Sequence, residues 1–213
     1  VIETGWSKVD PLFPIERNST EKPVILISST FSPKYSLTYD EEVVNEIERL
    51  SKIGKWEFKV VLHPKLAKDK IEIFKAIQNE NLTYYDTTDI VPLFKKADIM
   101  FSDTTSAITE FILQQKPVVT FKNNKPGDHF IDIAEVSEIE DAITKALSRP
   151  RPVMLAIQNY IDVTHPYSDG KSSQRVINTC IEFLNSDRSY LKKKPLNLIR
   201  KFKVRKQLNY FKL

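Results

Sequence analysis

The stretch Ile99-Met-Phe-Ser-Asp-Thr-Thr-Ser-Ala-Ile-Thr-Glu-Phe-Ile112 decides the fold. Its first three residues are apolar and uncharged, which predicts a short buried strand. A polar turn, Ser102-Asp-Thr-Thr-Ser106, follows at once. Beyond it Ile108, Phe111 and Ile112 recur at helical spacing on a segment expected to span residues 106–115. The same strand-to-helix form repeats on both sides. Val24-Ile-Leu-Ile-Ser28 leads to a helical pattern over 40–53 that carries Val43, Val44, Ile47 and Leu50 on one face and stops at Gly54. Phe58-Lys-Val-Val-Leu62 leads to one over 70–79. Leu82-Thr-Tyr84 leads to one over 89–97, with Asp89 as its cap and Pro92 in the first turn, where proline is tolerated. Val118-Val-Thr-Phe121 is a fifth strand, and helices are expected at 139–148, 153–163 and 172–184. Strands alternating with helices through short connections predict an α/β fold, a Rossmann-like doubly wound parallel sheet with helices on both faces. Ligands of such sheets bind beyond the carboxyl ends of the strands, so the chemistry is sought just after each strand.

The chain has 213 residues and a formal net charge of +4, and the distribution of that charge matters more than its total. After Asp187 there is no acidic residue, whereas Arg188, Lys192, Lys193, Lys194, Arg200, Lys201, Lys203, Arg205, Lys206 and Lys212 follow; the chain before them is net acidic. Basic charge confined to one end argues against a nucleic-acid-binding fold, which spreads it over a face. Leu196, Leu198, Ile199, Phe202, Val204, Leu208, Tyr210 and Phe211 interleave with these charges. The chain therefore divides into a domain over 1–187 and a basic, partly amphipathic tail over 188–213. The tail reads as a docking segment for anionic lipid or polymer phosphates, or as a helix that is solvated or packs onto another domain. Cys180 is the only cysteine and lies in an apolar-periodic stretch, which predicts a small buried hydrophobe. No apolar run approaches a membrane span and no signal-peptide pattern opens the chain, so a cytoplasmic protein is expected, with the tail allowing peripheral attachment to the inner face of the cell membrane.

The turn Ser102, Asp103, Thr104, Thr105 and Ser106 gathers hydroxyls and amides where a strand hands over to a helix, a setting that suits a phosphate or diphosphate. Helix capping alone needs only one of these side chains. Glu110, further along that helix, either accepts hydrogen bonds from ribose or polyol hydroxyls or is an exposed surface residue. His63-Pro64 closes the second strand, with Lys65 beside it; an imidazole there binds or protonates a phosphate oxygen, or serves the structure. Thr30 and Ser32 offer hydroxyls after the first strand, in what is otherwise a plain connection. Gly127-Asp-His129 contributes Asp128 and His129. In Asp169-Gly-Lys-Ser-Ser173, Lys171 is placed to reach an anion and Ser172 or Ser173 to cap the next helix. No metal-ligand spacing, P-loop, dinucleotide fingerprint or GxSxG elbow is present, and no cofactor is expected.

Taken together, Thr4-Gly-Trp-Ser-Lys-Val-Asp10, His63-Pro64, Ser102-Asp-Thr-Thr-Ser-Ala-Ile-Thr-Glu-Phe111, Lys116-Pro-Val-Val-Thr-Phe121 and Asp169-Gly-Lys-Ser-Ser173 resemble the C-terminal domain of the CDP-glycerol glycerophosphotransferase family. The resemblance runs from about Val1 to Leu184. It implies the C-terminal half of a GT-B fold that binds the CDP moiety of CDP-glycerol or a related activated polyol, which is the donor substrate. It implies roles for His63 in donor diphosphate binding or leaving-group stabilisation, for Ser102 to Ser106 in diphosphate binding, and for Glu110 as an acidic position on that helix. It also implies a second, N-terminal GT-B domain with the acceptor site and the base that activates the acceptor hydroxyl. This chain alone is then expected to be an inactive half. Threonine at 105 and glutamate at 110 depart from the family's commoner serine and aspartate. Two rivals remain: a sugar-nucleotide enzyme of the same fold, such as a UDP-N-acetylglucosamine 2-epimerase or glycosyltransferase, and a non-catalytic module that recognises anionic polymers or membranes.

Overall fold

The computed structural model describes residues 1–15 and 21–210. Six strands form one all-parallel sheet: β1 (Val24–Ser29), β2 (Glu57–Leu62), β3 (Leu82–Tyr84), β4 (Ile99–Ser102), β5 (Val118–Phe121) and β6 (Ile131–Ile133). Their order is β3-β2-β1-β4-β5-β6. The α-helices are α1 (Glu41–Ile53), α2 (Lys68–Ala76), α3 (Val91–Lys96), α4 (Ala107–Ile112), α5 (Ile139–Leu147), α6 (Arg151–Thr164), α7 (Ser172–Asn185) and α8 (Leu198–Gln207). The chain divides into two compact units, Val1–Val176 and Ile177–Leu213, and the boundary falls inside α7. The charge-based boundary after Asp187 lies just past the end of α7.

The strands read as unbroken apolar runs because both faces of the sheet are covered. In β1 every residue is buried. Ile25 and Ile27 pack in one core with Val43, Ile47 and Leu50 of α1, Phe74 of α2 and Ile143 of α5. Val24 and Leu26 point the other way, into a second core with Phe94 of α3, Phe111 and Ile112 of α4, and Ile157 and Ile161 of α6. The period of two along a single strand thus feeds both layers. Helix α1 shows why its limits were legible. The Asp40 carboxylate accepts the Val43 N–H at 3.3 Å, Glu41 and Glu42 occupy the first turn, and Gly54 ends the helix at φ 75°. Lys116 is buried, and its ammonium donates to the carbonyls of Phe94 and Lys95, both at 2.8 Å, which satisfies the end of α3.

Several expectations need correction. Strand β6 was not foreseen: it has three residues, and the central Asp132 is exposed and accepts the Thr120 hydroxyl at 2.6 Å. Helix α4 stops at Ile112 rather than 115, because the chain turns there and Gln115 takes φ 57°. Helix α2 ends at Ala76, and Asn79 instead forms the turn into β3, bonding to Leu82. Cys180 is exposed on α7. Helix α7 is capped not by its own serines but by Asp10, whose carboxylate accepts the N–H groups of Ser172 at 2.9 Å and Ser173 at 2.8 Å. In the tail, α8 spans Leu198–Gln207, while Phe211 and Lys212 lie outside the described residues.

Candidate functional site

The strand order reverses between β1 and β4, so the connections leaving those two strands depart to opposite sides and open a crevice at their carboxyl ends. A cavity of about 220 Å³ lies there. Ser28 and Ser29 enter it from the end of β1, His63 from the end of β2, Thr87 and Thr88 from the connection after β3, and Thr105, Ser106 and Glu110 from the start of α4. Lys8, on the 3-10 turn Ser7–Leu12, completes the lining.

At His63 the geometry selects the tautomer. The Lys65 N–H donates to Nδ1 at 3.0 Å, so the neutral ring carries its proton on Nε2 and offers a donor. Burial, together with the Lys65 charge, lowers the pKa of His63 from its ordinary value. The ring packs on Phe31, with centroids 4.6 Å apart. This histidine is therefore a neutral hydrogen-bond donor near pH 7.

The polar turn divides in two. Ser102 and Asp103 are fully buried, and their side chains face the interior rather than the cavity. The Ser102 hydroxyl donates to the Ser28 carbonyl at 2.6 Å. The Asp103 carboxylate accepts the Ser29 hydroxyl and the N–H groups of Thr30 and Leu37, both at 3.0 Å. Burial raises the Asp103 pKa, against those hydrogen bonds, which favour the charged form. Asp103 thus ties the β1–α1 connection to the end of β4, and the expectation that both residues bind phosphate directly is corrected. Thr104 accepts the Asn124 N–H at 3.1 Å and holds the loop after β5. Thr105 and Ser106 alone of the five line the cavity. Ser106 stands at the N-cap position of α4, and its side chain makes no capping hydrogen bond. The first amides of the helix are already engaged: the Ala107 N–H donates to Thr105 Oγ1 at 3.4 Å, the Ile108 N–H to the Thr105 carbonyl at 3.3 Å and the Thr109 N–H to the Ser106 carbonyl at 3.1 Å. This end therefore offers a ligand chiefly the hydroxyls of Thr105 and Ser106. With six residues α4 has only a modest dipole, and local donors matter more than its macrodipole.

Glu110 is not a surface residue: it is 7 % exposed and faces the cavity. Its Oε1 accepts from the Lys8 ammonium at 2.6 Å. Nothing local in the Thr4–Asp10 motif distinguishes Lys8 from a solvated lysine. Its backbone is fixed from a distance. Val9 and Leu12 are buried, the Trp6 N–H donates to His165 Nδ1 at 3.3 Å, and Asp10 caps α7. Burial works to raise the Asp10 pKa, but the hydrogen bonds from Ser173 and Ser172 outweigh it and hold the group at about 2.

The remaining expected residues do not line this cavity. Thr30 acts through its N–H on Asp103, and the Ser32 carbonyl closes a turn with Tyr35 and Ser36. Asp128 is exposed, and His129 stacks on Tyr160 at 4.2 Å. Lys171 is exposed, and Ser172 is buried at the start of α7. Among the described residues no cluster of three or more His, Cys, Asp or Glu is arranged to hold a metal ion, and no helix is long and apolar enough to cross a membrane.

No family model and no curated protein matches the chain. Solved structures do. A UDP-N-acetylglucosamine 2-epimerase homologue from Listeria monocytogenes aligns over 87 % of this chain and 54 % of its own, with 15 % identity and a TM-score of 0.57. The wall teichoic acid polymerase TagF, in a crystal soaked with CDPG, aligns over 87 % of this chain and 53 % of its own, at 14 % identity and TM-score 0.57. Sucrose-phosphate synthase from Thermosynechococcus elongatus aligns over 85 % and 52 %, at 12 % identity and TM-score 0.53. The chain thus spans about half the length of each structure and has the fold of one Rossmann-like half of a GT-B protein.

Proposed function

We propose that the chain is the donor-binding half of a GT-B transferase that uses CDP-glycerol or a related CDP-polyol and passes its polyol phosphate to a growing cell-surface polymer. The observation that carries the proposal is the convergence of Thr105, Ser106, His63 and Glu110 on one cavity at the point where the strand order reverses. The Thr105 and Ser106 hydroxyls donate to the diphosphate, and Glu110 accepts hydrogen bonds from ribose or polyol hydroxyls. The acceptor hydroxyl, activated by a base on a second domain, forms a bond to the polyol-side phosphorus while the bridging P–O bond breaks and CMP leaves. The Nε2–H of His63 hydrogen-bonds the oxygen on which leaving-group charge develops. Donor and acceptor must be held in line, so turnover requires both halves of the cleft.

A sugar-nucleotide enzyme is the nearest alternative, because the epimerase homologue aligns with the same TM-score as TagF, 0.57 in both cases. Thermal unfolding of the chain with CDP-glycerol, CDP-ribitol and UDP-N-acetylglucosamine separates the two. A ligand that binds only the folded state at about 100 times its Kd adds ~2.7 kcal/mol. The expected result is a rise with the CDP donors and not with the UDP sugar; the reverse pattern would favour the alternative. Replacing Thr105 and Ser106 by alanine should each weaken donor binding by ~1–3 kcal/mol, as for hydrogen bonds to a charged phosphate. Unchanged affinity in both variants would leave them as helix-start residues only.

The unit Ile177–Leu213 supports a separate role, attachment to an anionic membrane surface. On α8 the exposed Leu198, Ile199 and Phe202 share one side, among Arg200, Lys201, Lys203, Arg205 and Lys206. The chain is expected to co-sediment with phosphatidylglycerol-containing vesicles in low salt and not with phosphatidylcholine vesicles. Truncation after Asp187 should abolish sedimentation while donor binding stays. Equal binding to both vesicle types, or none to either, would contradict this role.

A further inference from the structure

We infer that Lys8 is a ligand of the donor's phosphates, held at the cavity by Glu110 until the donor enters. The inference rests on the donor-site reading above and adds to it the group that supplies positive charge. Among the described residues that line the cavity, Lys8 is the only lysine or arginine and Glu110 the only carboxylate. His63 is neutral near pH 7. A diphosphate entering without Lys8 would therefore meet a buried negative charge and no cation to offset it.

The pair is asymmetric in a way that suits exchange. The Glu110 side chain is 9 % exposed, whereas that of Lys8 is 62 % exposed, so the carboxylate is enclosed and the ammonium stands at the opening. An ammonium has three donors on a flexible four-carbon stem, and the contact to Oε1 uses one of them. Its backbone, in contrast, is pinned by buried Val9 and Leu12 and by the bond from Asp10 to α7. Hydroxyls of the donor that reach Glu110 take over part of the role Lys8 plays there. The ammonium then turns to phosphate oxygens at Thr105 and Ser106 without movement of the fold.

A lysine that merely neutralises Glu110 would affect every ligand alike, whereas a phosphate ligand acts in proportion to phosphate charge. Calorimetric titration with cytidine, CMP, CDP and CDP-glycerol therefore tests the assignment. Lys8→Gln is expected to reduce affinity for CDP and CDP-glycerol by about 10- to 100-fold, as for a charged hydrogen bond. Cytidine should be nearly unaffected, CMP intermediate, and Lys8→Arg close to wild type. The double variant Lys8→Gln/Glu110→Gln should remain weak for CDP. Recovery of CDP binding in that double variant, or an equal loss for cytidine and CDP, would overturn the role, as would no loss at all. Thermal melts of each variant establish that it is folded. If the wild-type chain binds none of the four, the donor site itself falls; if it binds them with no phosphate-dependent effect of Lys8, only this inference falls.

Discussion

Asp103→Ala should unfold the protein roughly 6–12 °C below wild type, a loss of ~3 kcal/mol for a domain of this size. The carboxylate is fully buried and gathers three donors: the Ser29 hydroxyl and the N–H groups of Thr30 and Leu37. Alanine leaves the N–H groups of Thr30 and Leu37 without this acceptor, whereas the Ser29 hydroxyl still has Ser36 Oγ at 2.7 Å, and it opens a gap where β1, β4 and the β1–α1 connection meet. A buried donor that loses its partner costs about 1–3 kcal/mol, and water entering the gap recovers part of that. Asp103→Asn keeps the shape but turns one acceptor into a donor facing donors, so it should fall between alanine and wild type. Circular dichroism melts measure both. A midpoint shift below about 2 °C for alanine would mean that the connection after β1 does not depend on this carboxylate. The effect belongs to folding, although the residue lies in the segment read as a phosphate seat.

His63→Ala should do the opposite, leaving the melt close to wild type while weakening binding of a CDP donor about 10-fold or more. The ring sits half-buried against Phe31 at the end of β2, so its removal costs little packing. Its Nε2–H is the donor aimed at phosphate, fixed by the Lys65 N–H on Nδ1. The pH dependence follows from the direction of the pKa shift. Burial and Lys65 lower the pKa, so the folded protein keeps the ring neutral down to a more acid pH than a free imidazole, whose pKa is about 6.5. Bound phosphate stabilises the imidazolium and so raises the pKa of the ring in the complex above that of the free protein. Donor affinity should therefore rise as pH falls through the pKa of the complex and level off below the lowered pKa of the free protein. That acid-side rise should be missing in His63→Ala. Titrations of both proteins across this range check the claim; wild-type affinity and an unchanged pH profile in the variant would remove His63 from the site.

How much of this was legible in the sequence depended on whether the determining contact was local. The first five strands, the Asp40 start and the Gly54 stop of α1, and the alternation of strand and helix follow from period, capping and turn residues, all read within a few residues. Strand β6 escaped because three residues around an exposed Asp132 carry no run to detect. The turn after β4 shows the limit most clearly. A hydroxyl or carboxylate at a strand end faces either the ligand or the protein according to what the neighbouring strand offers. For Ser102 and Asp103 that neighbour is the end of β1, more than seventy positions away. Lys8 and the cap that Asp10 provides for α7 were hidden for the same reason, since their partners Glu110 and Ser172 are distant in sequence.

The most direct test of the central claim is a backbone amide map of the chain by heteronuclear NMR, recorded while CDP-glycerol is added. Saturable shifts centred on Thr105, Ser106, His63 and Glu110, with Lys8 among them, are the predicted result. Shifts that are absent at saturating donor, or that fall only in the unit Ile177–Leu213, would contradict the account.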